Sequence, residues 1–519
     1  MHAHVAAPLL RLSVTHIASL GTPLLSAIIA ETESQDEPMK SHHAATLIAG
    51  TSIGGGFLAL PTVTAPIGFP VAATAMCGVW CMLMVAAFAY AEGASRVLLE
   101  KGKHNHEDAT TPGGLGGALG KSADGGAGGA AGDGQQKVSI ASLSAAAFGA
   151  RASTVCTVAF VGQVLAMITA QLVKTAEVAT AVSGGAIPYT LGCILPAVIF
   201  GAFTLKSSPR AVERANTALT ISIVVGFILL CRNVAASGAS SVARLTVANW
   251  QPLLQPLRAA STGAGSGWPL PVFLSVLQFG AAIPVVVQGM QAHRSAQNNQ
   301  RMRRALLAGA SLPLILGLLW TAVATAQPPM GGVGAGGVDD PVLRLLLGAR
   351  AVALPAQALC AGAIGSTLIG AYLTLNQLFG DVLAPRQAAL ATLAVVIGPA
   401  LLGTAGPSLY LPLLGLSGAF PCTILYVLVP LLALRVLRRN GVGAHEGEWM
   451  PEGTAGLLAF SSLPLSMLAT SGATLGATLG RRLARNTAIT TWLVTATKAT
   501  SVRAALGKLI AILRATLLP

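Results

Sequence analysis

Charge is what this sequence has least of. Asp, Glu, Lys and Arg make up 10% of 519 residues, against 53% hydrophobic, where a soluble domain carries about 25% charged residues. With a mean hydropathy of +0.69, this shortage excludes an ordinary soluble fold and points to a polytopic membrane protein, to which length-per-domain expectations do not apply. Aromatic residues are few as well, at 5%. The net charge of +14 therefore does not mark a nucleic-acid binder, which needs a solvated basic domain with stacking aromatics; no nucleic-acid partner is expected. Catalytic signatures are missing too, since no H-E-x-x-H, Walker A or C-x-x-C occurs. The seven cysteines lie mostly in apolar runs, and although Cys77 and Cys81 share a helix face, no His or second Cys pair completes a metal spacing. Neither a metal nor another cofactor is expected.

What the chain has instead is long apolar runs. A membrane span needs about 20 mostly apolar residues, and such runs fall at 44–66, 68–91, 152–183, 186–204, 216–234, 269–290, 305–326, 353–379, 388–405, 409–434 and 454–472. That predicts an all-α protein with about eleven transmembrane helices. Residues 1–43 form an N-terminal tether or a transit segment: one Arg and scattered Ser, Thr and His precede acids at Glu31, Glu33, Asp36 and Glu37. Residues 101–137, rich in Gly, are expected to be a disordered loop inside the transmembrane domain 44–472. Lys and Arg collect in alternate loops, such as Lys206, Arg210 and Arg214, then Arg294, Arg301, Arg303 and Arg304, which places the amino terminus inside. The basic tail at 473–519 runs against that orientation after eleven spans, so its side is left open. Its last part, 500–518, has the pattern of an amphipathic helix lying on the membrane surface.

The first run is interrupted. Gly50, Gly54, Gly55 and Gly56 fall at its mid-depth, and each Gly weakens a helix by up to about 1 kcal/mol relative to Ala. A helix broken within hydrocarbon exposes N–H and C=O groups, which is tolerated only against a polar cavity or ligand. The sixth run repeats the pattern, with Gly280 four residues before Pro284, and Pro costs about 3 kcal/mol in a helix interior. Interruptions at corresponding places in two sets of spans point to an inverted-repeat transporter whose substrate sits at the breaks. Close Gly packing in the first run and a plain Pro kink in the sixth are the structural alternatives.

Two motif matches are discounted. Gly50-Thr51-Ser52-Ile53-Gly54 spells G-x-S-x-G but lies in a span, not in the strand–turn–helix that a nucleophile elbow needs. Gly332 to Gly337 spells G-x-G-x-x-G without a preceding strand. The protein is not expected to be an enzyme. Charges inside spans are more telling: Lys174 and Glu177 stand three apart in the third run and so share a helix face. A charge at the bilayer centre costs about 2.5–3.5 kcal/mol, so the two either pair with each other or serve a proton relay or substrate route. Glu92, Asp381, Gln171, Gln288, Asn376 and Gln377 also interrupt apolar runs, as helix–helix contacts or as pathway residues.

These residues resemble the tyrosine/tryptophan-specific permeases, an aromatic amino acid permease family of the amino acid/polyamine/organocation superfamily. AGTSIGGGFLALP at 49–61 is similar to the family's opening motif, and the likeness continues through Glu92, Thr175-Ala176-Glu177, the run at 271–290, RMRRALLAGASLPLILGLLW at 301–320 and the stretch from Ser366 to Asp381. The resemblance implies a LeuT-type 5+5 inverted repeat with interrupted helices 1 and 6. It implies a secondary active transporter of aromatic amino acids such as tyrosine or tryptophan, usually a proton symporter, with sodium as the alternative coupling ion. The substrate's amino and carboxylate groups would lie against Thr51, Ser52, Gly54, Gly55 and Gly56 and against Phe279, Gly280, Ala281 and Pro284, with Glu177 and Lys174 as coupling residues. Phe279, Trp320 and Tyr372 are candidates for aromatic walls or for the core. A plastid envelope is implied, with the plasma membrane as alternative. Two departures count against aromatic specificity and proton coupling: Gly280 and Ala281 stand where members commonly carry His, and Gln377 stands where an acid is common. The rivals are a carrier of another small neutral amino acid on the same fold and a non-transporting membrane sensor or scaffold acting through the basic tail.

Overall fold

In hydrocarbon a backbone must pair its own polar groups, and among open chains only the helix does so. The long runs of Ala, Leu, Val and Ile accordingly form helices throughout the computed structural model, which describes residues 41–110, 139–236, 243–251, 269–290, 296–326, 340–382 and 385–442. Among these residues nine helices are long and apolar enough to cross a membrane; the bent pair Ser41–Gly50 and Gly55–Thr64, angled by 50°, makes ten if it is one span. All of the first ten expected spans have a counterpart. The eleventh, at 454–472, residues 1–40 of the expected tether 1–43, the Gly332–Gly337 match and the basic tail lie outside the described residues.

The first span is α1 (Ser41–Ser52), a 3-10 turn (Gly55–Ala59) and α2 (Leu60–Thr64); the second is α3 (Phe69–Thr110). Thus α3 runs on into the stretch expected to be a loop from 101. A short α4 (Ile140–Phe148) precedes the third span, α5 (Ala150–Val182), and α6 (Tyr189–Lys206) and α7 (Pro209–Ala236) complete five spans. The sixth span is α8 (Pro269–Leu277), a 3-10 turn (Gly280–Ala282) and α9 (Ile283–Met290), and α10 (Ala296–Ala326) is the seventh. A short α11 (Pro341–Leu347) precedes the eighth, α12 (Arg350–Val382), followed by α13 (Pro385–Gly403). The tenth span joins α14 (Tyr410–Ser417) to α15 (Val429–Arg439) through π-helical turns at Gly418–Cys422 and Ile424–Leu428.

Two sets of five spans are visible in this order. Helix α4 stands directly before the third span as α11 stands before the eighth, and each starts at a side-chain cap: Ser139 accepts from the Ser142 N–H and Asp340 from the Val342 N–H. The packing repeats as well. The third span lies on the fourth as the eighth lies on the ninth, the fifth on the eighth as the tenth on the third, and the first on the seventh as the sixth on the second. Five is odd, so the second set enters the membrane from the side opposite to the first, and the repeat is inverted.

Close approach fixes the interruptions. Gly54 is extended (φ −137°, ψ −176°), and a Cβ there would lie 2.5 Å from Thr367 Oγ1; at Gly55 it would lie 1.8 Å from Gln171 Oε1. In the sixth span a Cβ on Gly280 would lie 2.2 Å from Cδ1 of Tyr426. Pro284 is the second residue of α9, in the first turn, where a missing N–H breaks no helical bond. It therefore starts a half-helix and does not kink a continuous one.

At one end of the bundle Glu92 accepts from Nε and Nη2 of Arg438 at 2.9 and 2.8 Å and from Nε of Arg96 at 3.2 Å. This joins the second span to the end of the tenth, so Glu92 is a helix–helix contact.

Gly55→Ala should lower the apparent unfolding temperature in detergent and abolish transport, because the new methyl and Gln171 cannot share the space. Gly50→Ala, with nothing within 4 Å of its Cβ position, should leave both unchanged. Equal behaviour of the two variants would contradict the packing described.

Candidate functional site

The two broken spans touch each other at their turns: α1 touches the 3-10 turn at Gly280–Ala282, and α8 touches the turn at Gly55–Ala59. Each broken span therefore ends a helix and begins another at mid-depth, with partial negative charge at the ended helix and partial positive charge at the new one. Neither new start has a side-chain cap, at Gly54 or at Phe279. Thr51 and Ser52 form the last turn of α1. Ser52 is buried and its hydroxyl donates to the Ile48 carbonyl at 3.0 Å, so the G-x-S-x-G match sits on a helix end with its hydroxyl already committed.

Gly55 is held on both sides by other spans. Its N–H donates to Thr367 Oγ1 at 2.6 Å, and its carbonyl accepts from the Tyr410 hydroxyl at 3.2 Å. These contacts come from the eighth and tenth spans. The polar groups of Gly55 are thus met by protein, and its part in the site is to admit Gln171. Gly56 continues the 3-10 turn. In the sixth span Phe279 and Pro284 are buried, while Ala281 is exposed. Trp320 stacks on Phe57 with centroids 5.9 Å apart. Trp320, Phe279 and Tyr372 are all buried in the apolar core.

Beside the first break lies a charged cluster. Lys174 Nζ is 2.9 Å from Glu177 Oε2, as the three-residue spacing implied, and 2.6 Å from Asp340 Oδ2. The Lys174 side chain is 1% exposed, and its ammonium lies 5.3 Å from the centre of the Tyr410 ring, within cation–π range. Asp340 Oδ1 accepts from Thr62 of α2 at 3.0 Å and from the Val342 N–H at 2.9 Å. Glu177, Lys174, Asp340 and Thr62 therefore form one chain of polar contacts from the third span to the second half of the broken first. Asp340 is the residue that the sequence patterns missed. It stands in a connection between spans, and its one local signal is Asp before Pro341, the pattern of a helix cap. Thr367 and Tyr410 gave no signal.

The match to known proteins agrees with this layout. The model of the tryptophan/tyrosine permease family matches residues 39–106 and 130–450. The chain belongs to that family. The permease is therefore a multi-pass membrane transport protein. No curated protein sequence matches it. Among solved structures it is similar to the manganese transporter of Eremococcus coleocola in complex with an aromatic bis-isothiourea substituted compound. The TM-score is 0.43 and the identity 12%, over 90% of this chain and 96% of that one, too loose a likeness to bear on fold or cargo.

Burial alone would raise the Asp340 carboxyl, but the Lys174 ammonium, with the Val342 N–H and the Thr62 hydroxyl, holds it below its usual value of 3.8. A depressed folded-state value means that stability is gained above the unfolded value and lost as pH falls through the folded one. Asp340→Asn should therefore destabilise the permease at pH 7 by about 1.5–3 kcal/mol, the range for a hydrogen bond to a charged group. The gap to wild type should shrink below about pH 4. A gap independent of pH in thermal unfolding would contradict the assignment.

Proposed function

We propose that this permease is a secondary active transporter that moves an amino acid, preferentially tyrosine or tryptophan, by alternating access. The observation that carries this reading is the pair of broken spans, each touching the other's turn. The end of α1 at Thr51 and Ser52 directs carbonyls toward the gap and suits the substrate ammonium. The N–H groups at Gly280 and Ala281 open the other half-helix and suit the carboxylate. Gly54, Gly55 and Gly56 shape the first break, and Phe279 and Pro284 the second. Family membership supports an amino acid as cargo; the choice of an aromatic one rests on the resemblance of the opening motif.

Coupling is assigned to Glu177 and Lys174. One ammonium meets two carboxylates, so the cluster carries one surplus negative charge. Asp340 is tied by Lys174, Thr62 and Val342 and has a side-chain exposure of 8%, against 24% for Glu177. Glu177 is thus the less tied and more exposed of the two acids, and the coupling role is assigned to it on that ground. Its neutralisation removes one claim on Lys174 and leaves the Lys174–Asp340 link, which reaches the first span through Thr62. A proton is preferred over sodium on family resemblance alone. The lipid bilayer surrounds the spans, and the plastid envelope is assigned on family resemblance alone.

A second reading is a carrier of another small neutral amino acid on the same breaks. It is favoured by Gly280 and Ala281 at the sixth break, where Tyr426 fills the space of the side chain that Gly280 lacks.

Uptake of labelled tyrosine and tryptophan into proteoliposomes tests the proposal. An inward proton gradient should drive accumulation, and Glu177→Gln should keep exchange of substrate while losing gradient-driven accumulation. No aromatic uptake by folded protein would overturn the substrate assignment. Undiminished accumulation by the Glu177→Gln variant would overturn the coupling assignment.

A further inference from the structure

Gln171 is fully buried on the third span, and neither its Oε1 nor its Nε2 has a hydrogen-bond partner. Native proteins rarely leave a buried primary amide without any partner, because water would have satisfied both of its ends. An apolar side chain of similar size would fill the same space without that cost. The amide does not serve the break's backbone, since the Gly55 N–H is taken by Thr367 and the Gly55 carbonyl by Tyr410. Nor does it serve the charged cluster, where Lys174 is paired with Glu177 and Asp340.

Its place is nevertheless specific. A Cβ on Gly55 would lie 1.8 Å from Oε1 and 3.0 Å from Nε2, so the whole amide rests on the first break. Lys174, three residues on, shares its helix face. The amide carries one acceptor and two donors. An α-amino acid offers their complement on a single carbon, an ammonium that donates and a carboxylate that accepts.

We infer that Gln171 is a substrate-binding residue of the permease, whose carbonyl accepts from the α-ammonium and whose NH2 donates to the α-carboxylate of the bound amino acid. This rests on the amino acid reading above and adds to it a contact from the third span, which that reading leaves out. It also explains why Gly55 needs to be glycine: any larger residue displaces the amide from the break.

Binding of tyrosine and of tyramine, which lacks the carboxylate, to the purified full-length protein tests the inference, with thermal unfolding as the second readout. Gln171→Met, apolar and of similar length, should weaken tyrosine binding about tenfold or more, the equivalent of one lost hydrogen bond to a charged group. Its unfolding temperature should be equal to or above wild type. Gln171→Glu keeps an acceptor for the ammonium and repels the carboxylate, so it should shift the preference from tyrosine toward tyramine by about tenfold. Wild-type tyrosine affinity in the Gln171→Met variant, or an unchanged tyrosine-to-tyramine ratio in both variants, would overturn the inference. So would unfolding of both variants well below wild type, which marks a packing residue. If wild type itself binds no proteinogenic amino acid, the amino acid reading has failed and the inference falls with it, an outcome distinct from altered binding in the variants alone.

Discussion

Every backbone polar group at the depth of the bilayer needs a partner, and the rest of this structure follows from how that need is met where two helices stop. At the first stop, Thr367 and Tyr410 reach in from the eighth and tenth spans to take both polar groups of Gly55. The break is thereby welded to the half of the molecule that does not contain it. At the second, the ring of Tyr426, on a π-helical turn of the tenth span, occupies the place of a side chain at Gly280. π-helical turns often mark functional positions, and here the turn brings an aromatic ring against a break. The tenth span thus supports both interruptions.

Charge is used sparingly and in two separate clusters. On the second span, two arginines meet one carboxylate; Glu92 is 5% exposed and receives a bidentate pair from Arg438. Where the third span ends, one lysine meets two carboxylates. The first arrangement is saturated with donors and reads as a fastening. The second has a carboxylate in excess and touches the broken first span through Thr62. The same residue types therefore form two differently balanced clusters, and the difference lies in which sign is in surplus.

Much of the fold was legible in the sequence because hydropathy and helix breakers act locally. The runs of apolar residues marked the spans, the glycines at 54–56 and Gly280 with Pro284 marked the breaks, and the three-residue spacing marked the Lys174–Glu177 pair. What was not legible depends on contacts distant in the chain. Asp340 is 166 residues from the lysine it holds, and no spacing rule links them. Thr367 bonds its own helix at Ala363 as any membrane threonine does, so nothing in its neighbourhood announces the second bond to Gly55. Helices α4 and α11, at 9 and 7 residues, are too short for a span-length window to register, although Ser139 and the Asp340-Pro341 pair are ordinary cap signals. The glycines were read as weak points in a helix; the structure shows that they are also the only residues that leave room for Gln171 and Tyr426.

The central claim is that one amino acid occupies the gap between the two breaks. It is tested most directly at Ala281, which is exposed on the sixth-span turn, by placing a cysteine there and measuring its reaction with a charged, water-soluble thiol reagent against the wild-type background. The account predicts that Ala281→Cys is labelled from water and that saturating tyrosine or tryptophan slows the labelling. Labelling that no amino acid slows, in protein shown to be folded, would contradict it.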